Sequence, residues 1–333
     1  MSTPTQTSQP SPNTSPLKTE VENPNNPLST LWSTSSIAQE YLRTERITRP
    51  YADVLVQKAG LADLIEGNAR EETGEEKGEV RLWDFACGTG AVVACLYDKL
   101  RQGREEVVRG KIKVLAADVS PEMVAYTRER GEREGWKEVL GLETRLVDVT
   151  NIPPNLPYNP PTHLTLSFAL MALPTLTLSS LHTQLAPSGT LALTTWSSIS
   201  WYTYLLSAAQ LVLPPDLFSA TPSELGFINI AFPDRKLHLP ETTERELRGA
   251  GFADVSVEVV EIEHEWVDAR DFVRAMELPI RAVSGKWGEG EERSIWSGKV
   301  KGALVEVVEG LFGKGQKVRF GMGAIVGVGR KGN

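Results

Sequence analysis

The most informative segment of this sequence is Val80-Arg81-Leu82-Trp83-Asp84-Phe85-Ala86-Cys87-Gly88-Thr89-Gly90. Its apolar residues favour a short buried strand, and residues 91–100, which follow it, have the apolar spacing of a helix. The two glycines between them let the backbone pass close beneath a ligand, because they carry no Cβ. A strand, a tight turn and a helix in this order predict the first unit of a parallel sheet.

The same alternation of strand and helix continues along the chain. We expect strands at 113–117, 144–147, 164–168, 190–195, 255–262 and 318–328, and helices at 120–134, 176–185 and 295–311. Thr243 and Glu246 have the spacing of a capping box, which predicts that another helix begins there. This alternation indicates an α/β fold with a doubly wound, Rossmann-like sheet of seven strands.

The chain divides into three predicted regions. Residues 1–30 are rich in Ser, Thr, Pro, Asn and Gln, so we expect a disordered tail without a signal peptide. Residues 31–79 should form an N-terminal helical region followed by a polar loop, with two or three helices broken at Pro50. Residues 80–333 should form the main domain, with a cap near 196–240 that covers a substrate.

Three aspartates stand where predicted strands end: Asp84, Asp118 and Asp148. Carboxyl ends of parallel strands share one edge of an open sheet, and ligands bind at that edge. A dinucleotide fingerprint would need a small residue at Val93, so that pattern does not fit. A carboxylate before the glycines can reach a cationic amine, Asp118 can accept hydrogen bonds from ribose hydroxyls, and Asp148 is placed for an adenine amino group. This set favours S-adenosylmethionine as the cofactor.

These motifs resemble those of class I S-adenosylmethionine-dependent methyltransferases, at 83–92, 117–123 and 147–148. Shorter segments, including Tyr41–Thr48, Gly135-Trp136 and Thr195-Trp196, are similar to fungal secondary-metabolite methyltransferases of the gliotoxin-type thiomethyltransferase kind. The resemblance implies that the N-terminal helices form a lid and that Tyr41 and the backbone around Phe168 lie near the cofactor. One departure is Ala86, which stands where that family usually has its first glycine.

The expected cofactor-binding residues combine the strand ends, the turn and the positions that the resemblance implies. They are Tyr41, Asp84, Ala86, Gly88, Gly90, Asp118, Val119, Met123, Asp148, Val149 and Phe168. The aromatic residues Trp196, Trp201 and Tyr202 follow the fifth strand, where they could line an apolar substrate pocket. His264 is the best candidate for a catalytic base, because the resemblance places its strand beside the acceptor.

Composition narrows the classes of partner. The 333 residues carry a net charge of −8 without a basic stripe, which disfavours nucleic acid. No apolar run approaches the roughly 20 residues that span a bilayer, so we expect no membrane partner. Cys87 and Cys95 lack metal-ligand spacing, which favours a cytoplasmic protein without a metal or disulfides. The oligomeric state stays open.

The expected reaction is in-line methyl transfer to a small molecule. No catalytic dyad is evident, which favours a thiol, amine, carboxylate or activated carbon, because these acceptors need little help from a base. The alternatives are an O-methyltransferase of a polyketide or terpenoid, and a regulatory protein that binds S-adenosylmethionine without turnover. A pericyclase or dehydratase that uses the charge of the sulfonium is a third.

Overall fold

The structure is a computed structural model that describes residues 32, 36–61, 79–102 and 110–333. The expected disordered tail at 1–30 lies outside the described residues, as does nearly all of the expected polar loop at 66–79. No helix in the described part of the chain has both the length and the apolar character needed to cross a bilayer.

A single mixed sheet of seven strands lies at the centre, in the order β3-β2-β1-β4-β5-β7-β6. The strands are β1 (Val80–Phe85), β2 (Ile112–Asp118), β3 (Glu143–Leu146), β4 (His163–Ser167), β5 (Thr190–Ile199), β6 (Ala253–Trp266) and β7 (Val318–Arg330). Strands β1 to β5 pair in parallel, and β7 runs antiparallel to both of its neighbours. The predicted doubly wound α/β fold is confirmed.

Helices cover both faces of this sheet. Those in the described part of the chain are α1 (Ile37–Lys58), α2 (Ala91–Gln102), α3 (Pro121–Glu134), α4 (Trp136–Leu140), α5 (Leu176–Gln184), α6 (Tyr202–Val212), α7 (Pro215–Ala220), α8 (Glu224–Ile228), α9 (Pro240–Gly249), α10 (Ala269–Ala275), α11 (Glu277–Ser284) and α12 (Gly290–Phe312). Within the residues that the structure describes, short 3₁₀ segments lie at Leu170–Ala172 and Pro233–Arg235. Apolar side chains of α1, α2 and α4 pack on one face of the sheet, and those of α5 and α9 pack on the other.

Local sequence explains the boundaries of α3, which follows β2. The side chain of Ser120 accepts a hydrogen bond from the backbone N–H of Met123, and Pro121 occupies the first turn. At the other end Gly135 adopts a left-handed conformation with φ of 81°. A serine cap, an early proline and a terminal glycine are the usual signals for where a helix begins and ends.

The N-terminal helical region differs from the prediction. Helix α1 runs without interruption through Pro50, so the expected break into two or three helices is wrong for residues 37–58. Ile47, Tyr51 and Leu55 are all buried around that proline. Their packing against the main domain outweighs the local penalty of an interior proline, which sequence spacing alone does not reveal.

The start of α9 also differs from the prediction. The helix begins at Pro240, so Thr243 lies inside it, and the expected capping box is wrong. Proline is well suited to the first turn because no intrahelical partner is needed for its missing N–H. Thr243 is fully buried against β7 instead, where a Cβ on Gly327 would lie 2.8 Å from its methyl group.

A third apolar cluster forms a helical cap over one end of the sheet. It joins α6, α10 and α12 with the ends of β6 and β7. The cap therefore combines the expected segment at 196–240 with the helices between β6 and β7, of which α10 and α11 were not anticipated. This arrangement positions the cap above the carboxyl end of β5 and beside α1.

Candidate active site

The site begins at the reversal of strand order in the sheet. Strands β1 and β4 are neighbours, although β2 and β3 separate them along the chain. Their connections therefore leave in opposite directions and open a crevice at their carboxyl ends, which is where open α/β sheets bind ligands. Asp84 of β1 stands directly opposite Thr165 of β4 in this register.

The turn after β1 takes an unusual backbone path. Ala86, Gly88 and Gly90 all have positive φ, at 50°, 54° and 83°. Gly88 packs under Tyr41 of α1, whose ring carbon lies 3.5 Å from where a Cβ would be. Gly90 faces the other way, into the side chains of Thr127 and Trp136. The structure thus separates two residues that were both expected to bind cofactor, because Gly90 serves packing of the turn against α3 and α4.

Asp118 connects β2 to this turn. Its two carboxylate oxygens accept hydrogen bonds from the backbone N–H groups of Gly88 and Ser120, each at 2.9 Å. Burial raises the pKa of the Asp118 carboxyl, and these backbone hydrogen bonds offset part of that rise. Each carboxylate oxygen can accept a further hydrogen bond, so the side chain can hold the turn and still bind a ligand.

Asp84 lies directly beneath the turn. Thr165 donates a hydrogen bond of 2.8 Å to one of its oxygens, while the buried second oxygen, Oδ2, has no partner. Burial, more than any nearby charge, raises the pKa of Asp84 to about 7. A buried carboxylate oxygen without a donor is costly, and a ligand bearing an ammonium group would relieve it.

Asp148 follows β3 at the same edge of the sheet. Its Oδ1 atom accepts hydrogen bonds from both the N–H and the hydroxyl of Thr150, at 2.8 and 2.7 Å. This is the local turn geometry that an aspartate commonly supports. The side chain is only partly buried and faces the crevice.

These elements enclose a pocket that we call the turn cavity. Its described lining residues are Trp32, Tyr41, Ala86, Gly88, Asp118, Val119, Ser120, Met123, Val147, Asp148, Val149, Thr150, Ser167, Phe168, Ala169, Ala172 and Leu173. The structure brings together every residue expected to bind the cofactor except Asp84 and Gly90. Trp32 and Thr150 were not anticipated, because neither belongs to a recognisable motif.

A second pocket, which we call the apolar cavity, lies under the helical cap. Its described lining residues are Trp32, Tyr41, Thr44, Ile47, Thr48, Phe168, Met171, Trp196, Ile199, Trp201, Phe227, Ile228, Ile230, Met276, Leu278, Pro279, Ala282 and Met322. The two pockets share Trp32, Tyr41 and Phe168. They therefore meet at an aromatic junction, where a group bound in one can face a group bound in the other.

Two of the three aromatic residues expected in the substrate pocket line the apolar cavity, and one does not. Trp196 and Trp201 are in its wall. Tyr202 is fully buried behind that wall, where its hydroxyl donates to the carbonyl of Pro222 and its ring stacks on Phe227. Its position therefore corrects the expected contact with substrate, because the first turn of α6 directs Tyr202 towards α8.

The aromatic wall at the junction is held in a strained conformation. Phe168 has a φ of 52°, a region that non-glycine residues rarely occupy. Its ring stacks on Trp196 with centroids 4.0 Å apart, and Tyr51 contacts both rings edge-on. Its backbone N–H also donates to the Thr194 hydroxyl at 3.0 Å. Strain of this kind persists where surrounding contacts impose it, and it is frequent at functional sites.

His264 lies outside both cavities. It is buried behind Tyr51, with 3.4 Å between its Nε2 atom and the Tyr51 hydroxyl. Burial lowers the pKa of His264 to about 4, so the imidazole is neutral at physiological pH. Its position corrects the expectation of a base facing the acceptor, because the alternation of side chains along β6 directs His264 towards α1.

The apolar cavity contains little that could remove a proton. Its described lining residues include no Asp, Glu, His, Lys, Arg or Cys. Burial raises the pKa of the Tyr41 phenol to about 12, and the negative charges of Glu45, Asp118 and Asp84 add to the rise. Tyr41 therefore stays protonated. In the part of the chain that the structure describes, no cluster of three potential metal-ligating side chains occurs.

Comparison with known proteins gives this geometry a family context. The methyltransferase tpcH of Aspergillus fumigatus is 26% identical over 298 residues, covering 89% of this chain and 96% of the relative. The acetylaranotin bis-thiomethyltransferase of Aspergillus terreus is 23% identical over 305 residues, covering 91% and 97%. The chain is an S-adenosylmethionine-dependent methyltransferase. No protein-family model matches this methyltransferase.

Among solved structures, the methyltransferase is similar to the plantazolicin methyltransferase BpumL in complex with SAH. The match has a TM-score of 0.44 and 10% identity, and it covers 92% of this chain and 95% of that one.

Part of the methyltransferase site lies on segments whose sequence carries no recognisable motif. Met276, Leu278 and Pro279 line the apolar cavity from α10 and α11, two short helices without a distinctive motif. Met171 reaches it from the 3₁₀ segment after β4. Only the apolar residues interspersed through 272–283 could have indicated a buried surface there, and they carry no information about which cavity it lines.

Proposed function

We propose that this methyltransferase transfers a methyl group to a small, largely apolar molecule held in the apolar cavity. The observation that carries the proposal is the junction of the two cavities at Trp32, Tyr41 and Phe168. In-line transfer requires donor and acceptor to face each other with water excluded. An apolar pocket that opens onto the cofactor pocket meets this requirement for an uncharged metabolite, whereas a polymer would need an open surface.

The residues of the turn cavity fit S-adenosylmethionine. When bound, the cofactor would supply an electrophilic methyl group on a sulfonium sulfur. The leaving group is then a neutral thioether, which needs no acid. In our assignment Asp118 accepts from the ribose hydroxyls and Asp148 faces the adenine. Asp84 lies outside the described lining of this cavity, and in our assignment its orphaned, buried Oδ2 atom provides the negative charge that the ammonium group requires. Gly88 and Ala86 form the floor, and Tyr41 closes the pocket from α1.

The favoured acceptor atom is a thiol sulfur or another nucleophile that ionises easily. The described wall of the apolar cavity offers no base, and Tyr41 holds its proton. A thiol with an ordinary pKa near 8.5 reaches its reactive form without such help, whereas a phenol near 10 does so far less. One relative is named a bis-thiomethyltransferase, which supports the same choice.

A pH–rate profile with a matched thiol and phenol tests this proposal. We expect the rate constant at saturating cofactor to rise with pH and level off at the pKa of each acceptor, with the thiol faster at neutral pH. Phenol and thiophenol form a suitable pair, because they differ only in the acceptor atom. If the rate with the thiol levelled off at a pH that did not change with the pKa of the acceptor, an enzyme group would be acting as the base. That result would contradict the proposal.

Replacing Trp201 tests the acceptor assignment. We expect Trp201→Phe to lower kcat/KM for the acceptor about tenfold or more while the affinity for S-adenosylmethionine stays nearly constant, because only the apolar cavity changes. The side chain is only 3% exposed, so full truncation to alanine would also destabilise the fold by about 3–5 kcal/mol. For Trp201→Phe, steady-state kinetics measures kcat/KM for the acceptor, and calorimetry measures the affinity for S-adenosylmethionine.

The matched control for that variant is Trp287→Phe. Trp287 is equally buried, and its indole N–H donates to Thr221 outside the described lining of either cavity. It should lose stability without changing kcat/KM. An equal loss of kcat/KM in both variants would contradict the assignment of Trp201 to the acceptor pocket.

Cofactor affinity should depend on pH through Asp84. The raised pKa of about 7 means that the unliganded protein holds a proton on this carboxyl below that pH. The ammonium group favours the ionised form, so binding releases the proton and weakens as pH falls. We expect affinity about tenfold lower at pH 6 than at pH 8. Calorimetry should show a flat profile for Asp84→Asn; an unchanged slope in that variant would contradict this assignment.

A further inference from the structure

A buried ion pair links the N-terminal helix to the core of the methyltransferase. Glu45 of α1 and Arg130 of α3 have side chains only 7% and 8% exposed. The Nη1 atom of Arg130 lies 2.8 and 3.0 Å from the two carboxylate oxygens of Glu45. Burying two charges costs desolvation energy that their attraction seldom exceeds, so a buried pair suggests a role in fixing geometry.

Both members of this pair also hold the turn. The Thr89 hydroxyl donates a short hydrogen bond to Glu45 Oε2. Arg130 Nη1 donates to the Thr89 carbonyl at 3.0 Å. Thr89 is fully buried between Gly88 and Gly90. Glu45 therefore binds the side chain of this central turn residue, and Arg130 binds its backbone.

Helix α1 contributes to both cavities from the same face. Tyr41 lies one helical turn before Glu45 and packs over Gly88. Thr44 and Thr48, which flank Glu45 along the helix, line the apolar cavity. The position of Glu45 against Thr89 therefore sets how the wall of the apolar cavity sits relative to the floor of the turn cavity.

We propose that Glu45, together with Arg130 and Thr89, forms a positioning network that keeps the acceptor wall in register with the turn beneath the methyl donor. The network touches neither reactant. It acts through Tyr41 and the rest of α1, and its catalytic consequence rests on the proposed function. A misplacement of about 1 Å in such alignment can lower a rate about 100-fold, so losing the network should reduce kcat more than binding.

Thr89→Val is the sharpest test, because it removes the hydroxyl that joins the turn to α1 and leaves the ion pair intact. Thr89→Ser retains the hydroxyl and serves as the conservative rescue. The double variant Glu45→Gln, Arg130→Gln removes the pair without leaving a lone buried charge, so it should still fold. Arg46→Met is the matched control: Arg46 lies on α1 and pairs with Asp271 of α10 at 3.0 Å, away from the turn.

The first readout is hydrogen exchange of the full chain with and without S-adenosylhomocysteine. In the wild type and in Arg46→Met, the ligand should slow exchange in α1 at 41–48 together with the turn at 86–90. In Thr89→Val and the double variant, protection of the turn should remain, whereas protection of α1 should drop at least tenfold. Thr89→Ser should restore it. Ligand-dependent protection of α1 that is unchanged in both network variants would overturn the proposal.

The second readout is steady-state kinetics with an accepted substrate. Thr89→Val should lower kcat about 10- to 100-fold while KM for the acceptor and the affinity for cofactor change less than threefold; Thr89→Ser should recover kcat. A loss of kcat matched by an equal loss of cofactor affinity would overturn the proposal. If the wild type methylates no small molecule but exchange in α1 follows the network, the proposed function fails and the network stands.

Discussion

Asp118→Ala is expected to weaken the binding of S-adenosylmethionine by about 1.5–3 kcal/mol, roughly 10- to 150-fold, because hydrogen bonds to a charged acceptor are among the stronger ones. The carboxylate lines the turn cavity at the end of β2. It also holds the N–H groups of Gly88 and Ser120, so its loss releases the turn as well as the ribose. Isothermal calorimetry on the purified variant measures the effect.

Two controls accompany that measurement. Asp118→Asn keeps one oxygen that can accept from Gly88, so it should preserve more of the turn and lose less affinity. Asp216→Ala removes an exposed aspartate in α7 that is outside the described lining of either cavity, and it should leave affinity unchanged. Wild-type affinity in a folded Asp118→Ala variant would show that the cofactor does not lie where the strand ends place it.

Gly90→Ala is expected to destabilise the fold by about 2–5 kcal/mol. The left-handed backbone accounts for about 1–2 kcal/mol of this. The remainder comes from overpacking, because a Cβ at Gly90 would lie 2.9 Å from the Trp136 ring and 3.2 Å from the Thr127 methyl group. Denaturant unfolding with a structural probe such as circular dichroism measures the loss.

Gly88→Ala provides the contrast. The three atoms nearest to its Cβ would all belong to Tyr41, the first at 3.5 Å, which is ordinary van der Waals contact. The cost to stability should therefore be limited to the backbone term of about 1–2 kcal/mol. Because Gly88 lines the turn cavity, this variant should lose more cofactor affinity than Gly90→Ala loses at a temperature where both are folded. Gly302→Ala, in an open position of α12, should slightly stabilise the protein. Equal effects at positions 88 and 90 would contradict the division of roles.

The central sheet could be predicted from the sequence because β1 and β2 are short, largely apolar runs and β6 alternates apolar with polar residues. Asp84, Asp118 and Asp148 fall at strand ends, so knowing the strands was enough to bring them to one edge. The direction in which Gly90 faces, towards α3 and α4, could not be predicted, because a glycine carries no pattern that reveals its neighbour. The continuation of α1 through Pro50 was equally hidden, because packing around Tyr51 offsets the helix-breaking penalty of the proline.

The acceptor side was harder to predict because tertiary packing creates it. Trp196 and Trp201 were anticipated from their place after β5, but the choice between them and Tyr202 depends on the rotation of α6. His264 was expected near the acceptor only because of the family resemblance of its strand. In the structure its side chain points to Tyr51 instead. The Glu45–Arg130 pair joins residues 85 positions apart, which no local spacing connects.

Methyl transfer to a small apolar molecule can be followed with an isotopic label. The full chain is incubated with S-adenosylmethionine carrying a deuterated methyl group and a panel of apolar thiols, phenols and amines, with intact protein and tRNA as competing acceptors. Mass spectrometry then locates the label. We expect a single labelled methyl group on small molecules, with thiols methylated fastest. Label on protein or tRNA, with none on any member of the panel, would contradict it.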